Sequence, residues 1–180
     1  MHTIPQYKAL TQKYPLDFVI LSIHQVENQE FWTQDFQKNR SQREYNERYY
    51  GEMLNLVKSF KDYSVLGHMD LIVRYDEMGV YPFEKVEAVV SEILKTVIED
   101  GKGIEFNTSY RRYGLKDTTP SVDIWKRYKE LGGEIITIGS DSHTPAHLGV
   151  GIGEAKQLLK SLGFRFFCTY DRMKPIYHSL

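Results

Sequence analysis

The chain has 180 residues, 41% of them hydrophobic and 26% charged, with a formal net charge of −1. That length supports one globular domain with a sizeable core, and the near-neutral balance excludes a global field able to gather nucleic acid or an anionic membrane surface. A single cysteine, Cys168, excludes an intrachain disulfide and fits a reducing cytoplasm, while the polar opening MHTIPQYKALTQKY and the lack of a long apolar run speak against a signal peptide or a membrane span.

In chain order, residues 4–14 read as a helix leading into a short apolar, partly β-branched run, Asp17–Ile23. An aromatic-rich stretch, Phe31 to Tyr50, reads as loop plus the core face of a helix, or as a pocket lining. Tyr45, Tyr49, Met53, Leu56, Val57 and Phe60 recur at three- and four-residue steps and predict the next helix. Ser64–His68 is a second strand-like run. Val86, Val89, Val90, Ile93, Leu94, Val97 and Ile98 predict a helix opened by Pro82 and closed by Gly101. Gly103–Asn107 is the third run, and Pro120 to Gly132-Gly133 brackets a helix carrying Ile124, Trp125 and Tyr128. Glu134–Ile138 is the fourth run, Glu154–Leu162 a helix ended by Gly163, and Phe164–Cys168 the fifth run. Strands alternating with helices through connections of crossover length imply βαβ units and a parallel sheet, either open or closed into a barrel.

Four of these runs end in residues that bind metals or anions. They are His24; Gly67-His68-Met69-Asp70; Glu105-Phe-Asn107-Thr-Ser109 with Arg111 and Arg112; and Gly139-Ser-Asp141-Ser-His143. In parallel α/β folds the C-terminal strand ends form the site face. Three histidines and an aspartate arriving there from separate strands make the donor set that zinc, manganese and iron accept. Asp141 and His143, two apart on an extended segment, are expected to point the same way. Any one histidine after a strand is ordinarily a hydrogen-bonded core or surface residue; the joint pattern carries the reading. His2, His147 and His178 read as solvent-exposed or capping residues, and Glu105 as a strand residue facing a neighbour. Arg74, Arg111 and Arg112 are either a phosphate clamp or surface charge. Gly149-Val-Gly-Ile-Gly153 lacks the lysine and hydroxyl ending of a nucleotide-binding loop.

At these residues the sequence resembles the histidinol-phosphate phosphatases of the polymerase-and-histidinol-phosphatase (PHP) superfamily. Phe18–His24 is similar to their strand ending Gly-Ser-Val-His, Gly67–Leu71 to Gly-His-Leu-Asp-Leu, Glu105–Ser109 to Glu-Ile-Asn-Thr-Ser, and Gly139–His143 to Ser-Asp-Ala-His. The four motifs keep the family's order and spacing. The resemblance implies a partial distorted (β/α)7 barrel with about five βα units present, a single PHP-type domain over residues 1–180. It further implies His24, His68, Asp141 and His143 as metal ligands, Asp141 and His143 as catalytic, and Arg74, Asn107 and Arg112 as substrate-binding.

The implied cofactors are divalent ions (Zn, Mn or Fe), up to three in the family and fewer here. The implied reaction is hydrolysis of a small phosphorylated amino alcohol, histidinol phosphate, in cytoplasmic histidine biosynthesis, with neither nucleic acid nor membrane as partner. The alternative is an inactive or truncated metal- or phosphate-binding remnant, or an interaction domain. The family's opening His-x-His strand and bridging glutamate have no match in the sequence. The domain is therefore expected to be N-terminally incomplete relative to the family, and to self-associate or to need a partner N-terminal segment. Leu21 stands where the family has glycine, and Tyr110 follows Asn107-Thr-Ser where the family has glycine.

Overall fold

A computed structural model describes residues 3–180. The first elements are α1 (Ile4–Lys13), β1 (Ile20–Leu21), the pair β2 (Gln25–Val26) and β3 (Gln29–Glu30), and α2 (Gln42–Ser59). They are followed by β4 (Val65–Leu66), α3 (Glu87–Glu99), β5 (Gly103–Asn107), α4 (Val122–Glu130) and β6 (Ile136–Gly139). The chain ends with α5 (Ile152–Ser161), β7 (Phe166–Asp171) and β8 (Lys174–Ser179). Strands β1, β4, β5 and β6 form one four-stranded sheet in that order, every pairing parallel.

The helices arise where the apolar period and the caps coincide. Ser41 and Glu44 form a reciprocal capping box at the start of α2: Glu44 accepts from the Ser41 backbone N–H at 2.7 Å, and the Ser41 hydroxyl accepts from the Glu44 N–H. One face of α2 then buries Tyr45, Tyr49, Tyr50, Met53 and Val57. Phe31 and Phe36 are fully buried, Phe31 packing its ring against both Phe36 and Tyr49, so this part of the aromatic stretch is core. Strand β5 is buried at every residue. Pleat alternation turns Ile104 and Phe106 to one side, where Phe106 stacks on Trp125 of α4 at 5.4 Å between ring centres. Glu105 and Asn107 go to the other side, and that side leads to the strand ends.

The structure differs from the sequence reading in three places. The first two strands are shorter than their apolar runs. β1 is an edge strand with one neighbour, and β4 stops because His68 takes a left-handed φ of +24° that breaks the extended ladder. The fifth apolar run is not a fifth parallel strand. β7 pairs antiparallel with β8 across the two-residue turn Arg172-Met173, both at positive φ, which leaves no length for a crossover helix. The β2–β3 hairpin lies in a stretch with no strand-like pattern. The β7–β8 hairpin is tied under the N-terminal ends of the sheet. Met173 and Arg172 donate their backbone N–H groups to the Asp17 carbonyl and carboxylate at 2.9 and 3.0 Å, and Tyr170 donates its hydroxyl to the Ser64 carbonyl.

Candidate metal centre

The opposite end of the sheet carries the polar residues singled out from the sequence. Glu105 organises it from the centre. Its carboxylate lies on β5 between two glycines of the neighbouring strands: a Cβ on Gly139 would come within 2.3 Å of one oxygen, and one on Gly67 within 3.4 Å of the other. That slot, made by the absence of side chains on both flanks, lets a charged residue sit 5% exposed inside the sheet. Burial raises its pKa, opposed by the hydrogen bonds it accepts from the Asn107 amide and the His68 backbone. The His68 N–H donates to it at 3.1 Å. The positive φ at His68 is strained for a side chain bearing a Cβ, so this bond holds the residue in an otherwise unfavourable conformation.

His68 is thereby aimed at His24, with ring centres 5.0 Å apart and planes at 70°. Burial first, then the charges of His24 and Arg74, lower the His68 pKa to about 4, and burial lowers that of His24. Both imidazoles are therefore neutral near pH 7, the state in which a ring nitrogen is free to ligate. The His68 Nδ1 atom is buried and has no hydrogen-bond partner, an arrangement that is unfavourable until something occupies it.

Asp141 completes the group. Burial opposes its ionisation, but the nearby Arg74, with help from His68 and His143, outweighs burial and holds the carboxyl below its usual range. Its backbone sits at φ +50° and is clamped by Arg112, which donates to the Ser140 and Asp141 carbonyls at 2.9 and 2.7 Å. That left-handed backbone overturns the expected extended geometry of this segment. Asp141 points inward to Arg74, whereas His143 turns out to solvent with its side chain 75% exposed and Nδ1 2.9 Å from the Asp141 carbonyl.

The Arg74 side chain is buried and fully engaged on one side. Its guanidinium donates to Asp141 at 3.2 Å, to Asn107 at 3.1 Å and to the Ser109 hydroxyl at 2.7 Å, and it lies 4.4 Å over the Tyr113 ring. Its Nε is buried without a partner. Asn107 is 1% exposed, with its carboxamide turned to Glu105, Ser109 and Arg74. Arg111 lies on the outside near Glu154.

The donor set fits a divalent transition metal in chemistry: two neutral imidazoles, one of them with a buried lone pair, and a carboxylate held anionic. In geometry it is part of a site. Among the described residues no group of three or more His, Cys, Asp and Glu side chains closes around one point suited to a cation.

Several functional contacts escaped sequence reasoning. Glu105 read as a plain strand residue; the signal was a lone charge inside a buried strand run, with glycines in both adjacent strand motifs. Ser109 stood in the Asn-Thr-Ser motif with no role given to it, and the backbone clamp by Arg112 left no signal. Asp70 is 2% exposed and accepts the Ser121 N–H at 2.8 Å, tying this end of the sheet to α4; burial pushes its pKa up to about 7. His147 is half-buried with an unpartnered Nδ1, and His178 bonds Thr169. His2 lies outside the described residues. The glycine-rich segment opens α5 through Gly151 at φ +83°, where a Cβ would meet Thr108 at 2.9 Å.

The profile of the PHP domain matches residues 2–109. Among curated proteins the chain is 33% identical over 172 residues to the histidinol-phosphatase of Lactococcus lactis subsp. lactis, covering 89% of this chain and 60% of that protein. It is 30% identical over 163 residues to a probable histidinol-phosphatase of Clostridium acetobutylicum, covering 89% and 63%. The chain thus spans about three-fifths of the length of the curated relatives it matches. Among solved structures, it superposes on the Lactococcus lactis histidinol phosphate phosphatase complexed with zinc, L-histidinol and phosphate. The TM-score is 0.83 and the identity 27%, over 98% of this chain and 68% of that one. The putative histidinol phosphatase of Listeria monocytogenes, at 19% identity, shares the fold with a TM-score of 0.67 over 83% and 62%.

Proposed function

The chain belongs to the PHP domain family, and from that premise we propose that it is a single PHP-type domain, built on a distorted barrel, of a metal-dependent phosphatase acting on histidinol phosphate. The observation that carries the reading is the pair of neutral imidazoles, His24 and His68, facing each other beside an anionic Asp141 at the C-terminal strand ends. The zinc, histidinol and phosphate bound to the Lactococcus relative support the same substrate here.

In this reading His24, His68 and Asp141 would hold the cation, while His143, expected from the sequence as a further ligand, is turned out to solvent and stays off it. A bound divalent ion supplies two things, a lowered pKa for a water molecule and a screen for the phosphate charge. The remaining roles fall to the chain's own side chains. Asp141 accepts the proton of the attacking water. As the P–O ester bond breaks, the alcohol oxygen takes up a proton, His143 being the exposed group able to give one. The products are histidinol and inorganic phosphate. Arg74 and Asn107 steady the phosphoryl oxygens and Asp141, and Arg112 keeps the Asp141 backbone in place. The setting that suits this reaction is the cytoplasm; among the described residues no helix is long and apolar enough to cross a membrane.

The test is phosphate release from histidinol phosphate by the purified chain, with metal content measured alongside. Release that is lost on chelation and in His68→Ala supports the reading. Release indifferent to both would overturn it.

A further inference from the structure

Arg74 and Asp141 form an ion pair placed inside the donor group itself. The Asp141 Oδ2 atom accepts from the Arg74 Nη1 at 3.2 Å and lies 3.2 Å from the Ser109 hydroxyl. The Arg74 Nη2 donates in addition to Ser109 at 2.7 Å and to Asn107 at 3.1 Å, so the guanidinium spans three acceptors. Its side chain is 3% exposed and that of Asp141 22%.

Both ends of the pair are anchored from behind. The turn that carries Arg74 is held at its next residue, where the Tyr75 carbonyl accepts from the Gln34 and Gln37 carboxamides at 2.8 and 3.1 Å. One residue further on, the Asp76 carboxylate accepts from the Tyr45 hydroxyl at 2.6 Å and from the Gln42 carboxamide at 3.1 Å. Asp141 is fixed on its own side by the Arg112 clamp on its carbonyl. An ion pair between two mobile surface side chains would hold little. This one is enclosed, charge-assisted and braced at both ends, which makes it a firm contact.

The consequence falls on the two histidines. Asp141 is the carboxylate of the donor group, and one of its two oxygens is committed to Arg74. A guanidinium stays charged throughout the range in which proteins are folded. Its charge reaches both imidazoles, whose pKa values it helps to lower. A divalent ion approaching His24 and His68 therefore meets a cation already seated on their carboxylate partner. The same contact gives a reason why, among the described residues, the donors do not close around one point: Asp141 is drawn to Arg74 and away from the imidazoles.

We propose that Arg74 is an internal cation, a latch on Asp141 that competes with a divalent ion for the same carboxylate and so sets how tightly the site binds metal. The inference rests on the reading of His24, His68 and Asp141 as cation donors, and not on hydrolysis. Arg74 is a positioning residue in it, acting on the ion through Asp141. Removing a residue that merely supports the fold weakens metal binding, whereas removing a latch strengthens it.

The purified full chain, freed of metal and dialysed, is titrated with zinc at neutral pH against a chromophoric chelator. Arg74→Gln should bind zinc about 5- to 150-fold more tightly than the parent, the span of ordinary couplings between two ligands of one protein. Ser109→Ala, which loosens the same carboxylate oxygen without removing a charge, should shift the affinity the same way by less. Zinc affinity in Arg74→Gln equal to that of the parent, or weaker, would overturn the proposal. A second readout needs no variant. The Arg74 guanidinium protons, identified in NMR spectra by their contacts with the Tyr113 ring, should exchange with water about tenfold faster or more once zinc is added, as protons do when a protecting contact opens. Exchange unchanged by saturating zinc would count equally against the latch. Absence of zinc binding in both chains would remove the metal reading and this inference together. Binding that Arg74→Gln weakens would remove the inference alone.

Discussion

Strand β5 and strand β1 belong to one parallel sheet, yet they hold their ends of the site in opposite ways. β5 is buried along its whole length, braced by Trp125 on one side and carrying a carboxylate in a two-glycine slot on the other. His68, one strand away, inherits that rigidity through its backbone bond to Glu105. Among the described residues β1 has one neighbour, an exposed Ile20 and an overlying helix that buries nothing, and His24 beyond it is exposed. Two imidazoles 5.0 Å apart therefore differ in how firmly they are held. Preorganisation in this molecule is a property of the sheet centre and fades toward β1.

The sharpest way to break that comparison is to empty the centre. Trp125 is fully buried among Phe106, Tyr128 and Phe164. Trp125→Ala should destabilise the chain by about 3–5 kcal/mol, the range for large aromatic truncations in a core. Urea unfolding followed by far-UV circular dichroism measures it. A loss of under about 1.5 kcal/mol would mean that β5 is no better packed than β1.

Next in size is the effect of a cation. A divalent ion that binds only the folded chain, supplied at one hundred times its dissociation constant, should add about 2.7 kcal/mol of stability. His68→Ala should remove that gain and His24→Ala only part of it, because the His24 side is the less ordered. Equal losses in the two variants, by thermal unfolding with and without zinc, would erase the distinction between the two histidines.

How much of this was legible in the residues follows the same division. The helix periods, the parallel βαβ order and the convergence of His24, His68 and Asp141 at one sheet end are visible, because period and strand-end position are local properties of sequence. Three features were not. The two-residue Arg172-Met173 turn carries no glycine or asparagine to announce positive φ, so the β7–β8 hairpin passed for a parallel strand. The left-handed Asp141 backbone depends on Arg112, 29 residues away, and so the divergence of Asp141 and His143 had no local mark. The Glu105 slot depends on glycines from two other strands, a non-local coincidence that only register reveals.

Glu105 itself supplies the third test. Its link to His68 runs through one backbone hydrogen bond, so it acts on metal affinity at second hand, where such support is worth about 10–100-fold. Glu105→Ala should weaken zinc binding by that factor in isothermal titration, and Glu105→Gln, whose amide oxygen can still accept the His68 N–H, should recover most of it. If the glutamine variant binds as poorly as the alanine one, the carboxylate acts through its charge and not by positioning His68.

The smallest effect belongs to α1, and its smallness is the point. A helix of ten residues is marginal in water unless tertiary contacts support it, and α1 buries none of its side chains. Pro5 near its start and Lys13 in its last turn favour the helix by a fraction of a kcal/mol, as first-turn proline and a terminal cation do elsewhere. Truncating Tyr7 or Leu10 removes apolar surface that is already about half in water, so the transfer term is small, and no close-packed neighbour is left facing a void. Tyr7→Ala and Leu10→Ala should therefore each stay within about 0.5 kcal/mol of the parent chain in urea unfolding, the usual range for surface positions. Amide exchange along α1 should be close to that of unstructured chain, since its opening requires no disruption of the core. A destabilisation above about 1 kcal/mol in either variant would show that α1 is packed as firmly as α3 or α4. The contrast between a fixed centre and a loosely covered β1 flank would then have to be abandoned.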